Sequence, residues 1–249
     1  MPIYTNKNHN ILFMHIPKTG GTSVENWLRD QNSFHEHLFM KHPPMDLVCT
    51  PQHFTHATIQ SLFSSFFTNF TYQFAIVRNP YERLESEFFY RQKLRQLRLG
   101  DQPEQYFSSW VCKMLNEAKK HPFILDNHLR PQVEFLSEGV EIFYFEDGIA
   151  NIISHVAKRI GTAEPLRKIH EKSSNRKTVY WSKKAINLVN EFYESDFEKL
   201  NYPYKKINKN ITLHLKDKAL GGLFRIKINT RSLLRSLKPL LAKKLTSAG

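Results

Sequence analysis

The chain has 249 residues, of which 41% are apolar and 24% are charged, and its formal net charge is +13. These values fit a globular α/β domain with an appendage, and they exclude collagen-like, coiled-coil and low-complexity proteins. The two cysteines, Cys49 and Cys112, are too few for a disulfide framework or a four-thiolate zinc site. No apolar stretch approaches the ~18 residues of a transmembrane helix, and the polar N-terminus is unlike a signal peptide. We therefore expect a cytoplasmic protein.

The positive charge is concentrated at the C-terminus. Residues 205–249 contain 12 of the 36 basic residues but one of the 23 acidic residues, Asp217, so this segment carries a net charge of +11. A nucleic-acid-binding protein would instead spread basic residues over its folded surface, which disfavours that class. The sequence predicts one domain over residues 1–204 and a basic, partly amphipathic segment over residues 205–249.

Apolar runs typical of buried strands alternate with helical patterns along the chain. The predicted strands are residues 11–16, 47–49, 72–77 and 140–145. The predicted helices are residues 22–30, 59–67, 81–97, 104–120, 149–160 and 183–200. Because a helix follows each of the first three strands, the pattern predicts a three-layer α/β fold with a central parallel sheet flanked by helices.

The turn after the first predicted strand is suited to binding a phosphate or sulfate group. It consists of Pro17, Lys18, Thr19, Gly20, Gly21, Thr22 and Ser23. The N–H groups and dipole at a helix start attract an anion, the glycines permit its close approach, and Lys18 adds positive charge. Residues 22–25 also match a capping box, in which Thr22 and Glu25 bond the first helical N–H groups. For such a glycine turn alone, an ordinary capped turn without a ligand is the alternative.

A second phosphate site is predicted after the strand at residues 72–77. Asn79 and Pro80 are typical of a helix start, which puts Arg78 at the strand end and Ser86 about two turns into the helix. An arginine and a hydroxyl placed in this way can bind one dianionic phosphate. Taken alone, Arg78 fits a surface ion pair equally well.

Together the motifs Pro-Lys-Thr-Gly-Gly-Thr-Ser and Arg-x-Pro-x-x-Arg-x-x-Ser resemble the 5′-phosphosulfate loop and the 3′-phosphate motif of sulfotransferases that use 3′-phosphoadenosine-5′-phosphosulfate (PAPS). The chain is most similar to the carbohydrate-directed branch, sulfotransferase family 2, which includes the heparan and uronyl 2-O-sulfotransferases, and to its compact bacterial members. This resemblance implies a P-loop-like fold, PAPS as co-substrate, no metal, and in-line transfer of a sulfuryl group to a saccharide hydroxyl. A P-loop nucleotide or small-molecule kinase is the alternative enzyme, but the Walker pattern is absent because the lysine precedes the glycines.

Sulfuryl transfer to a hydroxyl needs a proton acceptor, and a cation near the leaving oxygen. Lys18 suits the second role. The resemblance implies a histidine base after the second predicted strand, where His53 matches best and His56 is the alternative. Because ligands bind at the carboxyl ends of parallel strands, we expect Lys18, His53 and Arg78 to meet at one sheet edge.

The acceptor site is less well defined by the sequence. His128 and Arg130 lie in a polar stretch and, with His56, are candidates to contact the acceptor, although a loop that caps a helix fits that stretch equally well. We expect a carbohydrate or glycolipid acceptor and no specific nucleic acid. Residues 220–245 interleave leucine and isoleucine with lysine and arginine, which predicts peripheral contact with an anionic membrane surface or an acidic polymer. A packed or frayed helix with a solvated basic face is the alternative.

Overall fold

The computed structural model describes residues 1–31, 33–38, 48–62, 70–94, 103–163 and 178–205. The chain divides into two compact units. The first unit comprises Met1–Met45, Cys49–Arg78 and Gln132–Ser174, and the second comprises Asp46–Val48, Asn79–Pro131 and Asn175–Gly249. The predicted 3′-phosphate motif therefore begins in the first unit, at Arg78, and continues into the second.

The first unit contains a five-stranded mixed sheet with the strand order β3-β1-β2-β4-β5. The strands are β1 (Ile3–Thr5), β2 (Asn10–Met14), β3 (His35–His37), β4 (Tyr72–Val77) and β5 (Glu141–Tyr144). Strands β2, β4 and β5 are parallel, whereas β1 is antiparallel to both β2 and β3. The helices of this unit are α1 (Gly21–Asp30), α2 (His56–Leu62) and α5 (Ile149–Ile160). The loops after β2 and β4 therefore leave the sheet side by side.

One face of the sheet packs on α1 and α5 to form a hydrophobic core. Phe13 of β2 and Phe74 of β4 are register partners on this face, with ring centroids 4.8 Å apart. The helices contribute Val24, Trp27 and Leu28 of α1 and Ile149, Ile152, Ile153, Val156, Ala157 and Ile160 of α5. Because side chains alternate between the two faces of a strand, His15, Arg78 and Phe145 continue this face past the strand ends.

In the stretches that the structure describes, the second unit is helical. Its helices are α3 (Pro80–Lys93), α4 (Phe107–Lys120), α6 (Lys183–Phe192) and α7 (Glu194–Lys199). Helix α3 begins as predicted, because Asn79 Oδ1 accepts a hydrogen bond from the Tyr81 N–H at 3.0 Å and Pro80 follows in the first turn. Helix α4 packs against α3 and α6. Aromatic rings fill this contact, with Phe88 and Trp110 5.2 Å apart between centroids.

Several predicted elements are confirmed at their ends. Strand β4 has the predicted bounds, and so does α5, which ends at Gly161 in the left-handed region with φ 62°. The helix predicted over residues 183–200 is instead two helices, α6 and α7. The chain bends between them at Tyr193, whose buried hydroxyl donates a hydrogen bond to Leu129 O at 2.8 Å.

The predicted central parallel sheet is confirmed for β2, β4 and β5, but the antiparallel pairs of β1 with β2 and β3 make the whole sheet mixed. Strands β1 and β3 went unpredicted because β1 has three residues and β3 is the polar triplet His35, Glu36 and His37, so neither forms an apolar run. The predicted strand at residues 47–49 is wrong, because Val48 and Cys49 lie in a bend. Residue 47 lies outside the described residues.

Within the described stretches, no helix is both long enough and apolar enough to cross a membrane. Residues 63–67 and 95–97 of two predicted helices lie outside those stretches. The same is true of the basic segment from residue 206 onward, including the interleaved pattern at 220–245.

Candidate active site

The loop between β2 and α1 holds the residues predicted to bind an anion. Pro17 and Thr19 are buried, and Thr19 Oγ1 donates a hydrogen bond to Ile16 O at 2.9 Å, which ties the loop to the end of the strand. Lys18 is half-buried and has φ 72°, in the left-handed region. This conformation costs free energy in a residue other than glycine, so the surrounding structure must hold it.

The start of α1 differs from the predicted capping box. The helix begins at Gly21, one residue earlier than predicted, and no side chain caps it. Thr22 is therefore exposed inside the first turn, and the half-buried Ser23 donates its N–H to Gly20 O at 3.0 Å. The helix start thus combines a glycine cap with backbone N–H groups, the arrangement that suits an anion.

The two loop glycines are required for different reasons. Gly20 has φ 88°, which favours glycine, and a Cβ there would overlap the side chain of Ile149. Gly21 has helical backbone angles that any residue adopts. A Cβ at Gly21 would lie 2.5 Å from Cδ2 and Nε2 of His15, so the imidazole takes the space of the missing side chain.

Arg78 follows β4 and is buried beside the same loop. Its Nη1 donates a hydrogen bond to Lys18 O at 3.3 Å, and its guanidinium carbon lies 4.2 Å from the ring centroid of Phe145. Gln132 fixes the Arg78 backbone by accepting its N–H at 2.9 Å and donating to its carbonyl at 2.8 Å. The predicted proximity of the loop and Arg78 is thus present, and it arises from the parallel pairing of β2 and β4.

His53 lies in a short 3₁₀ helix, Pro51–His53, rather than after a strand of the sheet. Its side chain is buried, with Nδ1 at 3.2 Å from Thr50 Oγ1. Its ring meets the His15 ring edge to face, with centroids 5.2 Å apart. The prediction that His53 follows the end of a strand is therefore wrong. The imidazole nonetheless lies one ring away from Gly21, with His15 between them.

His56, the alternative base, is the first residue of α2 and is half-buried. Burial lowers the pKa of its imidazole below the usual value, because the charged form is poorly solvated there.

His15 forms a buried pair with Glu25, in which His15 Nδ1 lies 2.5 Å from Glu25 Oε1. Burial acts to raise the pKa of Glu25, but the hydrogen bond and charge of His15, with smaller contributions from Arg29 and His53, hold that pKa below its usual value. Arg29 also binds Glu36, with Nε 2.8 Å from Oε2. An ionised carboxylate therefore lies directly behind the loop.

The remaining predicted site residues belong to the second unit. Ser86 lies half-buried two turns into α3. His128 is buried, with Nδ1 2.7 Å from Glu87 Oε2, and burial lowers the pKa of its imidazole. Arg130 is half-buried, and its guanidinium carbon lies 5.1 Å from the ring centroid of Phe123. The proposed roles of these three residues stay predictions.

Sequence reasoning missed His15 and Glu25. The predicted strand at residues 11–16 includes His15, and the alternation along β2 puts His15 on the same face as Phe13, against which its ring stacks with centroids 5.7 Å apart. The spacing of Glu25 from Thr22 matches a capping box, which hides its pairing with His15. The signal that could have found the pair is the two-residue spacing of Phe13 and His15. This spacing puts His15 on the face of the sheet that packs against α1, where Glu25 lies.

A glycine loop that connects a parallel strand to a helix, with an arginine from the neighbouring strand, is typical of proteins that bind nucleotides or their sulfated relatives. The sequence model of the sulfotransferase family matches residues 1–203, and the chain therefore belongs to sulfotransferase family 2. It is a transferase of sulfuryl groups. No curated protein and no solved structure matches the chain significantly.

Proposed function

We propose that this sulfotransferase takes its sulfuryl group from PAPS and transfers it to a hydroxyl group of a saccharide. The observation that carries the proposal is the loop of residues 17–23, which opens α1 with glycine and brings Lys18 against the guanidinium of Arg78. The half-buried lysine, the arginine and the helix N-terminus together provide positive potential for a nucleotide with anionic 5′ and 3′ groups. The three-layer, P-loop-like arrangement implied by the family accords with the parallel core of β2, β4 and β5.

PAPS supplies a sulfuryl group attached to a phosphate leaving group. Lys18 and the N–H groups of the first turn of α1 bind the phosphate oxygens and stabilise the negative charge that the departing oxygen acquires. Arg78, together with Ser86, holds the 3′-phosphate. As in phosphoryl transfer, positioning and electrostatic stabilisation account for most of the catalysis.

His53 is the proposed base. It accepts the proton of the acceptor hydroxyl as the acceptor oxygen bonds to sulfur and the bond from sulfur to the phosphate oxygen breaks. A hydrogen bond in which Nδ1–H donates to Thr50 Oγ1 leaves the lone pair on Nε2, the tautomer that a general base needs. The burial of His53 and its contact with the His15 ring restrict the orientation of the imidazole.

Calorimetric titration with adenosine 3′,5′-bisphosphate (PAP) and with adenosine 5′-monophosphate tests the donor. We expect PAP to bind at least ten-fold more tightly, because a phosphate held by an arginine contributes a charge-assisted hydrogen bond. Equal affinities would refute the assignment of PAPS.

The base is tested by His53→Ala, with His56→Ala as the matched control. We expect His53→Ala to lower kcat about 10²- to 10⁴-fold without changing PAP affinity, and His56→Ala to retain activity. Full activity in His53→Ala would remove that residue from the mechanism.

The acceptor is tested by labelling. We expect radiolabelled sulfate from PAPS to enter a hydroxyl group of a carbohydrate or glycolipid.

The cellular location is a separate prediction. We expect the protein to be cytoplasmic and to contact anionic membrane surfaces through residues 220–245. In the intact chain, substitution of Lys238, Lys243 and Lys244 by glutamine should reduce sedimentation with anionic vesicles and leave PAP affinity unchanged. Unchanged sedimentation would exclude this role for the basic segment.

A further inference from the structure

The backbone conformation at position 21 does not require glycine. The backbone there is helical, so alanine would suit the first position of α1 better than glycine does. What forbids a larger residue is the His15 ring, whose Cδ2 and Nε2 would lie 2.5 Å from a Cβ at this position. The loop is therefore built to let an imidazole approach the N-terminus of a ten-residue helix.

The His15 ring is held firmly in that position. Its side chain is nine-tenths buried, it stacks on Phe13, and it meets the His53 ring edge to face. Nδ1 is bonded to Glu25 at 2.5 Å. Among the described residues, Nε2 has no hydrogen-bond partner, and it lies at Gly21, where the first N–H groups of α1 begin.

The charge behind the ring determines what Nε2 can do. Glu25 is 3% exposed and is kept ionised by its partners, and a carboxylate at hydrogen-bond distance favours a proton on Nδ1. An imidazolium ring donates from both nitrogens, so with Nδ1 bonded to Glu25 the Nε2–H can donate to an anion. Glu25 thus provides a negative charge beside Nδ1 of His15, and Nε2 is left to bind a ligand.

We propose that His15 binds, through Nε2, the phosphate or sulfate group seated at the N-terminus of α1. On the proposed function, on which this inference rests for the identity of the ligand, that group is the 5′-phosphosulfate of PAPS. His15 is then a donor-binding residue, and Glu25 is a positioning residue that acts through it. The ring also lies between the bound anion and the candidate base His53, so one side chain fixes the spacing of both.

Two substitutions of His15 separate binding from structure. In His15→Asn the amide occupies the place of Nδ1 and keeps a hydrogen bond to Glu25 but offers nothing at Nε2, whereas in His15→Gln the amide reaches the place of Nε2. Each variant is titrated with PAP and with adenosine 3′-monophosphate, which lacks the 5′ anion. We expect His15→Asn to lose PAP affinity about ten-fold or more with no change for adenosine 3′-monophosphate, and His15→Gln to retain most of the PAP affinity. Equal losses for the two ligands, or better retention by His15→Asn than by His15→Gln, would overturn the proposal.

A second test uses the wild-type protein, so its result does not depend on whether the His15 variants fold. Nitrogen chemical shifts of the His15 imidazole are followed by NMR during titration with sodium sulfate, with His56 as the internal control. We expect a saturable shift at His15 Nε2 and not at His56. If PAP fails to bind but sulfate shifts His15, the proposed function falls and this inference stands. If PAP binds and neither ligand shifts His15, the inference is overturned and the proposed function stands.

Discussion

Two buried clusters in the described part of the chain combine the same three residue types, one cluster in each unit. The loop cluster is His15, Glu25 and Arg29, and the helix cluster is His128, Glu87 and Arg91. In each, a histidine Nδ1 binds a helical glutamate, at 2.5 Å in the loop cluster and 2.7 Å in the helix cluster. In each, the arginine four residues along the same helix binds the glutamate too. The chemistry is shared, so differences in role must come from the surroundings.

The surroundings of the helix cluster are structural. Leu125, Asp126 and Asn127 all have positive φ, a conformation that costs about 1–2 kcal/mol for each residue. Arg91 Nη2 donates a hydrogen bond to Leu125 O at 3.2 Å, and Glu87 holds His128 on the other side of this turn. The cluster thus offsets the cost of the left-handed turn.

The surroundings of the loop cluster are the residues of the proposed donor site. The histidine contacts the first residue of α1 and the ring of His53, and its arginine is about one-third exposed and shared with Glu36. A buried ion pair is weak evidence for stability in general, because desolvation cancels much of the attraction. The comparison therefore teaches that the helix cluster supports a left-handed turn, whereas the loop cluster lies at the helix start that we propose binds the donor.

The largest expected effect is on the helix cluster. Glu87→Leu should lower the free energy of unfolding by about 3–5 kcal/mol, because it leaves the buried Arg91 without its carboxylate and His128 without its partner. Urea unfolding measures this loss. The matched control is Glu191→Leu, which removes an exposed ion pair with Lys119 and should cost less than about 1 kcal/mol. Equal losses in the two variants would mean that the helix cluster contributes nothing special.

The next effect separates steric overlap from backbone strain as the reason why a position requires glycine. Gly21→Ala should cost about 1–3 kcal/mol through overlap with His15, although its backbone is helical. Gly161→Ala is the control, since it has φ 62° and open space around the missing Cβ, so strain alone costs about 1 kcal/mol there. In Gly21→Ala combined with His15→Ala, the overlap is gone. Unfolding of the double variant should therefore show a smaller loss than the sum of the single losses.

The third effect is the pH dependence of the helix cluster. Burial lowers the pKa of His128; Glu87 and Asp126 favour the proton and Arg91 opposes it, but burial prevails. Below the unfolded-state pKa of about 6.5, the unfolded chain binds a proton that the folded protein does not. The free energy of unfolding should therefore fall as the pH falls below 6.5, by at most about 1.4 kcal/mol per pH unit.

Urea unfolding between pH 5.5 and 7.5 measures this slope, and His128→Asn, which keeps a hydrogen bond to Glu87, should flatten it. An unchanged slope in His128→Asn would assign it to another group.

The loop cluster should respond in a lower pH window. The pKa of Glu25 lies below its usual value, so its stabilising contribution is present above about pH 4.3 and is lost as the pH falls below that value. Comparing unfolding of the wild type and Glu25→Gln between pH 3.5 and 5 measures this contribution. If the two curves stay parallel over that range, Glu25 makes no pH-dependent contribution to stability.

The sequence predicted the parts of the fold that arise from local patterns. Strand β4, helix α5 and the start of α3 at Asn79 depend on apolar runs, on glycine and on proline, and these signals lie within a few residues of one another. Strand β3 forms by pairing with β1, and its polar triplet gives no local signal that predicts this pairing. The contact between the loop and Arg78 followed from the parallel order of β2 and β4. His15 and Glu25 were missed because their pairing joins a strand end to the inner face of a helix.

The smallest expected effect concerns the arginine of the loop cluster. Arg29→Gln should change the free energy of unfolding by less than about 1 kcal/mol, because the side chain is 30% exposed and its pairs with Glu25 and Glu36 are partly screened by water. PAP affinity should stay within two-fold of the wild type, since Arg29 lies in the last turn of α1 and not at the helix start. A several-fold loss of PAP affinity would show instead that Arg29 helps to hold Glu25 against His15. The loop cluster would then act as one unit of three residues, as the helix cluster does, and the contrast between them would disappear.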